Sequence, residues 1–208
     1  QGLIMIDDGL SRRETLKRMA ELGLSADDVA ALVITHEHTD HIKGLDVWCK
    51  HWHGPLFASR GTLSCKETLA HLPVEEFDPG DTLSIAGIRV RTYPTSHDVI
   101  NPVGYRFDTF DDSIGFATDT GELTKQAIDT LEDCRVLALE SNHDVAMLRQ
   151  GDYPRFLQER ILSAKGHLSN DQAADAARGL VTDRTEQIIA RHISQDNNRP
   201  SLTVKSYA

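Results

Sequence analysis

Residues 35–44 read THEHTDHIKG and place three histidines, a glutamate and an aspartate in the six positions from His36 to His41. Imidazole nitrogen and carboxylate oxygen are the donor types that hold Zn2+, Mn2+ or Fe2+. His36, His38, Asp40 and His41 stand at i, i+2, i+4 and i+5, which is not the spacing of one helix face, and they follow the apolar run ALVIT. The stretch therefore reads as a loop leaving a buried strand. Three imidazoles and one carboxylate exceed what a single ion takes from one loop, so two neighbouring ions are implied.

Other ionisable side chains repeat this placement. His97 follows IRVRTYPTS, Asp119 follows SIGFAT, Glu140 follows RVLAL and His192 follows QIIAR. In layered α/β folds the C-terminal ends of strands converge on the crevice where ligands bind, so these positions form one candidate site.

The elements that must deliver them are legible in outline. LIMI is a short strand ending at DDG, Ser11 with Glu14 is a capping box for the helix TLKRMAELG closed by Gly23, and DVAALVIT is a second strand. HIKGLDVWCKHW reads as a helix ended by Gly54-Pro55, LFAS as a strand, and CKETLAHL as a helix stopped by Pro73. From Phe77 the period becomes two, with a turn at Gly87 and a hairpin across Asp111-Asp112. A helix near 122–132, the strand RVLALE, a helix near 143–150, the helix SNDQAADAARGLV, the strand EQIIARHIS and a trailing LTVKSYA complete the chain. This pattern gives one α/β domain over residues 1–208, and the opening at Gln1 inside a strand pattern points to a missing or trimmed N-terminal strand.

HEHTDH has the His-x-His-x-Asp-His form of the first metal loop of the metallo-β-lactamase superfamily, and TSHD, ATDTG and ARHIS stand in the order of the later metal motifs of its nuclease branch. The sequence resembles that superfamily over nearly its whole length. The resemblance implies an αββα sandwich of two mixed β-sheets flanked by helices. It implies one ion on His36, His38 and His97, another on Asp40, His41 and His192, and Asp119 as the bridge. Asp7, in IDDG, matches an acid that supports the loop without binding metal.

LALESNHD, KGHLSNDQAAD and ARHISQDNN narrow the resemblance to the YycJ/WalJ branch, bacterial proteins regarded as 5′→3′ DNA exonucleases, and more distantly to ribonuclease Z. By that resemblance Glu140 and His167 match a proton-donating pair. The chain shows no long insertion like the tRNA-gripping arm of ribonuclease Z and no inserted domain as in the ribonuclease J group. It starts too late to show the Ser-Ser-Gly-Asn strand of the YycJ pattern.

Two ions about 3.5–4 Å apart can share a hydroxide and clamp the attacked and departing oxygens of a phosphodiester. His167, oriented by Glu140, is the expected proton donor, His143 is a second candidate, and Asp40 belongs to both the metal and the catalytic set. The expected activity is a binuclear, Zn2+- or Mn2+-dependent nuclease acting on DNA in preference to RNA. The alternatives are hydrolysis of a β-lactam, lactone or thioester, and a noncatalytic nucleic-acid-binding relative.

Composition sets the remaining bounds. The balance of 22 basic against 32 acidic side chains argues against a nonspecific polyanion coat, although local cations can still recruit phosphate. Cys49, Cys65 and Cys134 are too few and scattered for a disulfide framework; they read as buried free thiols of a cytoplasmic protein. No stretch reaches the roughly 18 apolar residues of a membrane span. Glu37 and Thr39 read as supports of loop geometry, His51, His53 and His71 as helix-end contacts, and Trp48, Trp52 and Met19 as core. Ser141 and Asn142 read as caps, and Lys43, Arg106 and Lys165 as surface cations able to meet phosphate.

Overall fold

The computed structural model describes residues 2–208, which form two compact units: the stretch up to Arg89 with Val99–Val103, and Val90–Asp98 with Gly104–Ala208. In the first, β1 (Leu3–Ile6), α1 (Arg12–Glu21), β2 (Val29–Ile34), α2 (Thr39–Ile42), α3 (Leu45–Cys49), β3 (Leu56–Ser59) and β4 (Val74–Phe77) follow in order. The strands pair β1-β2-β3-β4, every pair parallel, so this sheet is not mixed as expected. Parallel strands need crossovers, and α1 and α3 provide them between apolar runs such as VAALVI. Leu32, Ile34, Leu45, Trp48 and Leu56 are fully buried in the resulting core, with Met19 and Trp52 packed against it, as their helical spacing foretold.

β5 (Thr82–Ile85), β6 (Ile88–Pro94), β7 (Val103–Asp108), β8 (Ser113–Ala117), β9 (Val136–Glu140) and β10 (Gln187–Arg191) form a mixed sheet in the order β10-β9-β8-β7-β6-β5. Ala86 and Gly87 both take positive φ (50° and 79°), the geometry of a tight two-residue hairpin turn joining β5 to β6. β7 and β8 are the antiparallel hairpin expected across Asp111-Asp112, whereas β8-β9 and β9-β10 are parallel. Helices α4 (Lys125–Leu131), α5 (Val145–Gln150), α6 (Arg155–Ile161), α7 (Asn170–Leu180) and α8 (Pro200–Tyr207) belong to the second unit, whereas β5 falls in the first. β9, VLALE, is buried at every position and carries Glu140 at its end.

Several local expectations change. CKETLAHL forms no helix: its backbone bonds alternate between three- and four-residue spans, as in Lys66 to Leu63 and Ala70 to Lys66, and the run stays a chain of turns. His71 accordingly ends no helix and instead meets Asp46 at 3.5 Å. Ser11 caps α1 through the Glu14 amide, but the Glu14 carboxylate turns to Arg18 (3.0 Å), so half of the capping box is missing. The capping box at α7 is complete, between Ser169 and Gln172. LTVKSYA belongs to α8, started by Pro200 in the first turn, where its missing N–H costs nothing. Of the cysteines, Cys134 is buried, Cys49 half-buried and Cys65 exposed, so only one fits the buried reading fully. Among the described residues no helix is long and apolar enough to cross a membrane.

Candidate metal and acid–base centre

The histidine loop is built on the pairing of β1 with β2. The parallel register brings Asp7, one residue past β1, beside Thr35, one residue past β2. Asp7 takes φ 59° and accepts hydrogen bonds from the Thr35 amide and hydroxyl, both at 2.8 Å. Its Oδ2 also lies 2.8 Å from His41 Nδ1, while Thr35 Oγ1 lies 3.0 Å from His36 Nδ1. Gly9 permits this packing, because a Cβ there would stand 1.5 Å from the carbonyl oxygen of Asp40. The rings of His36 and His38 are 4.8 Å apart and those of His36 and His41 are 4.1 Å apart. Glu37 points away from this cluster and accepts from the Ile100 amide (2.9 Å), the structural role expected of it.

In the second unit, His97, Asp119, Glu140, His167 and His192 come together from five separate segments. Asp119 and His192 both hold left-handed backbone (φ 48° and 52°), a strain that non-glycine residues sustain where surrounding contacts dictate it. Ligand atoms of Asp119, Glu140, His167 and His192 lie within 4.8 Å of one another. His97 Nδ1 meets the Gly166 carbonyl at 3.1 Å, its ring lies 5.2 Å from that of His167, and its Nε2 is 3.8 Å from Asp119.

Glu140 is the hub of this unit. Fully buried, it places Oε1 at 2.8 Å from His167 Nδ1 and 2.7 Å from His192 Nδ1, and Oε2 accepts from the amides of Thr120 (3.0 Å) and Leu168 (3.3 Å). Burial pushes its carboxyl up, but the hydrogen bonds from His167 and His192 outweigh it and hold Glu140 below the ordinary range. The same contact raises His167 above an ordinary histidine although burial opposes it. His143 shows the reverse: burial, then the neighbouring His167, depress it to about 4, and both of its ring nitrogens lack a hydrogen-bond partner.

One feature recurs across both units. In His36, His41, His97 and His192 the Nδ1 nitrogen is engaged, by Thr35, Asp7, Gly166 and Glu140 respectively. That leaves Nε2 as the nitrogen to offer an ion, and outer partners of this kind orient metal-binding imidazoles. The donor set of imidazole and carboxylate, held in this way, fits a divalent cation.

Sequence reasoning missed an amide clasp behind the histidines. Asn198 Nδ2 donates to the carbonyls of Ser141 (2.9 Å) and Asn142 (3.1 Å) and to Asn170 Oδ1 (2.8 Å), and Asn170 returns a bond to Asn198 Oδ1 (2.9 Å). Asn142 in turn donates to the His192 carbonyl (3.1 Å). Neither Ser141 nor Asn142 caps α5; Asp144 does, through the Met147 amide. The advance signal was the run of amides in the motifs ESNHD, LSND and QDNN, which read as helix caps and as carriers of the family resemblance. Arg106 is buried and committed to Asp108 and to the carbonyls of Thr130 and Glu132, so it is not a phosphate contact, whereas Lys43 and Lys165 are exposed. His51 and His53 are exposed and belong to neither cluster.

Comparison with known proteins gives these arrangements a context. Residues 3–193 match a beta-lactamase superfamily domain. The chain is 36% identical over 203 residues to "Exodeoxyribonuclease YycJ" of Bacillus anthracis, covering 96% of this chain and 77% of that protein. It is 34% identical over 205 residues to "Exodeoxyribonuclease WalJ" of Streptococcus pneumoniae, covering 96% and 76%. The crystal structure of the metallo-beta-lactamase fold protein YhfI from Bacillus subtilis superposes with a TM-score of 0.72 at 16% identity, over 98% of this chain and 79% of that one. With a parallel and a mixed sheet flanked by helices, and with its metal-type loop at a strand end, the chain belongs to the metallo-β-lactamase superfamily, in the group that contains YycJ and WalJ.

Proposed function

We propose that this protein is a metal-dependent phosphodiesterase that degrades DNA from an end, with the residues around Glu140 supplying acid–base chemistry. The observation that carries this reading is the Glu140 carboxylate shared by His167 and His192. A hydrolase that only needed to hold a metal would need Glu140 to orient His192 alone; a second imidazole on the same oxygen is suited to protonating a leaving group. The names of the YycJ and WalJ relatives support a DNA substrate.

The assignment of ions rests on the motif order shared with the family and on the engaged Nδ1 atoms. His36, His38 and His97 would hold one divalent ion, Asp40, His41 and His192 the other, with Asp119 shared; residues 1–208 then work as one catalytic domain. Zn2+ and Mn2+ both suit these donors. Ions bound there would supply Lewis acidity and an activated water. The chain's own residues do the rest. Asp7 and Thr35 hold the rings of His41 and His36 at fixed angles, and Gly166 does the same for His97. Glu140 accepts from His167 Nδ1 and favours its protonated form, from which Nε2–H can pass a proton to the departing alkoxide. His143, neutral at physiological pH, packs beside this pair as a second polar contact. Asp40 is exposed, with Oδ2 3.6 Å from His41 Nε2. We place the protein in the cytoplasm, where DNA ends and reduced thiols are found.

Removing such a donor costs about 10² to 10⁴ in rate. His167→Ala should therefore bind metal like the parent by elemental analysis and lose DNA cleavage by that factor in a single-turnover assay with 5′-labelled DNA. Parental turnover in this variant would remove His167 from the mechanism.

A further inference from the structure

The segment between the loop of His143 and the loop of His167 has an electrostatic character unlike the rest of the chain. Residues 145–165 carry Arg149, Arg155, Arg160 and Lys165 against Asp152 and Glu159, a basic stretch in a protein with a formal charge of −10. Helices α5 and α6 lie in this segment, and between them opens a cavity of about 630 Å³ lined by Arg149, Tyr153, Arg155, Gln158, Glu159 and Leu162.

Its walls are held in place. Gln158 Nε2 donates to the Tyr153 carbonyl (2.8 Å), bracing the turn between the helices, and Tyr153 Oη donates to Asp196 Oδ2 (2.7 Å). Asp196 lies four residues past His192, and the Asp144 amide bonds the carbonyl of Asn197 (2.9 Å), so the cavity is tied to the loop that carries His192. Arg160 is spent on Asp98 (2.6 Å), and Arg155 has only the exposed Glu159 at 3.4 Å, whereas Arg149 makes no ion pair among the described residues. Next to Arg155 in sequence, Phe156 is 73% exposed and lies outside the residues that line the cavity, at the start of α6.

Two available guanidinium groups, a tyrosine ring with its hydroxyl anchored and an exposed phenylalanine are the parts of a surface for a single nucleic-acid strand. Arginines take backbone phosphates, and aromatic rings stack on bases without regard to sequence. We propose that the α5–α6 cavity is a binding subsite for the single-stranded portion of the DNA substrate, with Arg149 and Arg155 on phosphates and Tyr153 and Phe156 against bases. This rests on the nuclease reading above and adds the position of a strand remote from the cleaved bond.

The test uses the metal-loaded protein and its R149A/R155A variant, with F156A alongside. Binding of a fluorescein-labelled 20-nucleotide single strand is followed by anisotropy over a salt series, and cleavage of the same strand is compared with that of a small phosphodiester reporter. The double variant should lose at least about tenfold in strand affinity, the scale of one charged hydrogen bond, and flatten the slope of log affinity against log salt by about 1.4. KM for the strand should rise likewise while reporter turnover stays unchanged. Equal affinity and salt slope in parent and variant would overturn the proposal, as would a parent that binds no strand. If the parent binds through these arginines yet cleaves no nucleic acid, the subsite stands and the nuclease reading fails.

Discussion

At the scale of single residues, the protein works through pairs in which one side chain sets the state of another. Glu140 is the clearest, because one oxygen serves both His167 and His192. Glu140→Gln should therefore differ from His167→Ala: it should lower metal content as well as turnover, since His192 loses the partner that orients it, and measuring both quantities on both variants separates the roles. A variant that is inactive but fully loaded would confine Glu140 to proton transfer. Asp8 gives a pH-dependent case. Burial, with the nearby Asp7 and against the hydrogen bond from Thr15, raises its carboxyl from 3.8 to about 6. The folded state thus holds that proton more tightly than the unfolded chain does. The associated stability is complete below about pH 3.8 and is lost as pH rises through 6, a gap corresponding to about 3 kcal/mol. Asp8→Asn keeps the acceptor for Thr15, so its Tm relative to the parent should rise between pH 4.5 and pH 7.5; a constant difference would show that Asp8 titrates normally. The presumed ligands were readable in the sequence because each is an ionisable residue following an apolar strand. The second bond of Glu140 was not, because nothing in RVLAL or QIIAR states that β9 and β10 are parallel neighbours in register from Gln187↔Val136 to Arg191↔Glu140.

At the scale of elements, some local signals held, as in the β7–β8 hairpin, and others gave way to their surroundings, as in CKETLAHL. The β5–β6 turn and the α7 capping box are written in a few adjacent residues. β4, VEEF, is half acidic and becomes a strand only by pairing with β3, while CKETLAHL buries Leu69 and leaves its flanking residues in irregular turns. The clasp of Asn198, Asn170, Ser141 and Asn142 is likewise an inter-element device, joining the loop after β9, the start of α7 and the segment before α8. Asn198→Ala leaves buried carbonyls without a donor, a loss of about 1–3 kcal/mol. Thermal denaturation should show this as a Tm lower by several degrees, at about 2–4 °C per kcal/mol for a chain of this size. Because Asn142 also holds the His192 segment, turnover should fall with it; an unchanged Tm would mean that the amides are merely adjacent.

At the scale of the whole molecule, an acidic chain is proposed to bind a polyanion, and bound cations resolve the conflict. The acidic surface limits nonspecific attraction, so affinity must come from the metal site and from the basic segment 145–165. Binding an ion to the folded state alone also stabilises it by mass action. Prolonged treatment with a chelator should therefore abolish activity and lower Tm together, and Zn2+ or Mn2+ should restore both; full activity after verified metal removal would end the metal reading. The substrate decides the rest, since the same ions and histidines could serve an acyl bond. Metal-loaded protein should be incubated with end-labelled single- and double-stranded DNA and RNA, beside a β-lactam and a phosphodiester reporter. The account predicts stepwise release of nucleotides from DNA with the β-lactam untouched; β-lactam hydrolysis with every nucleic acid intact would contradict it.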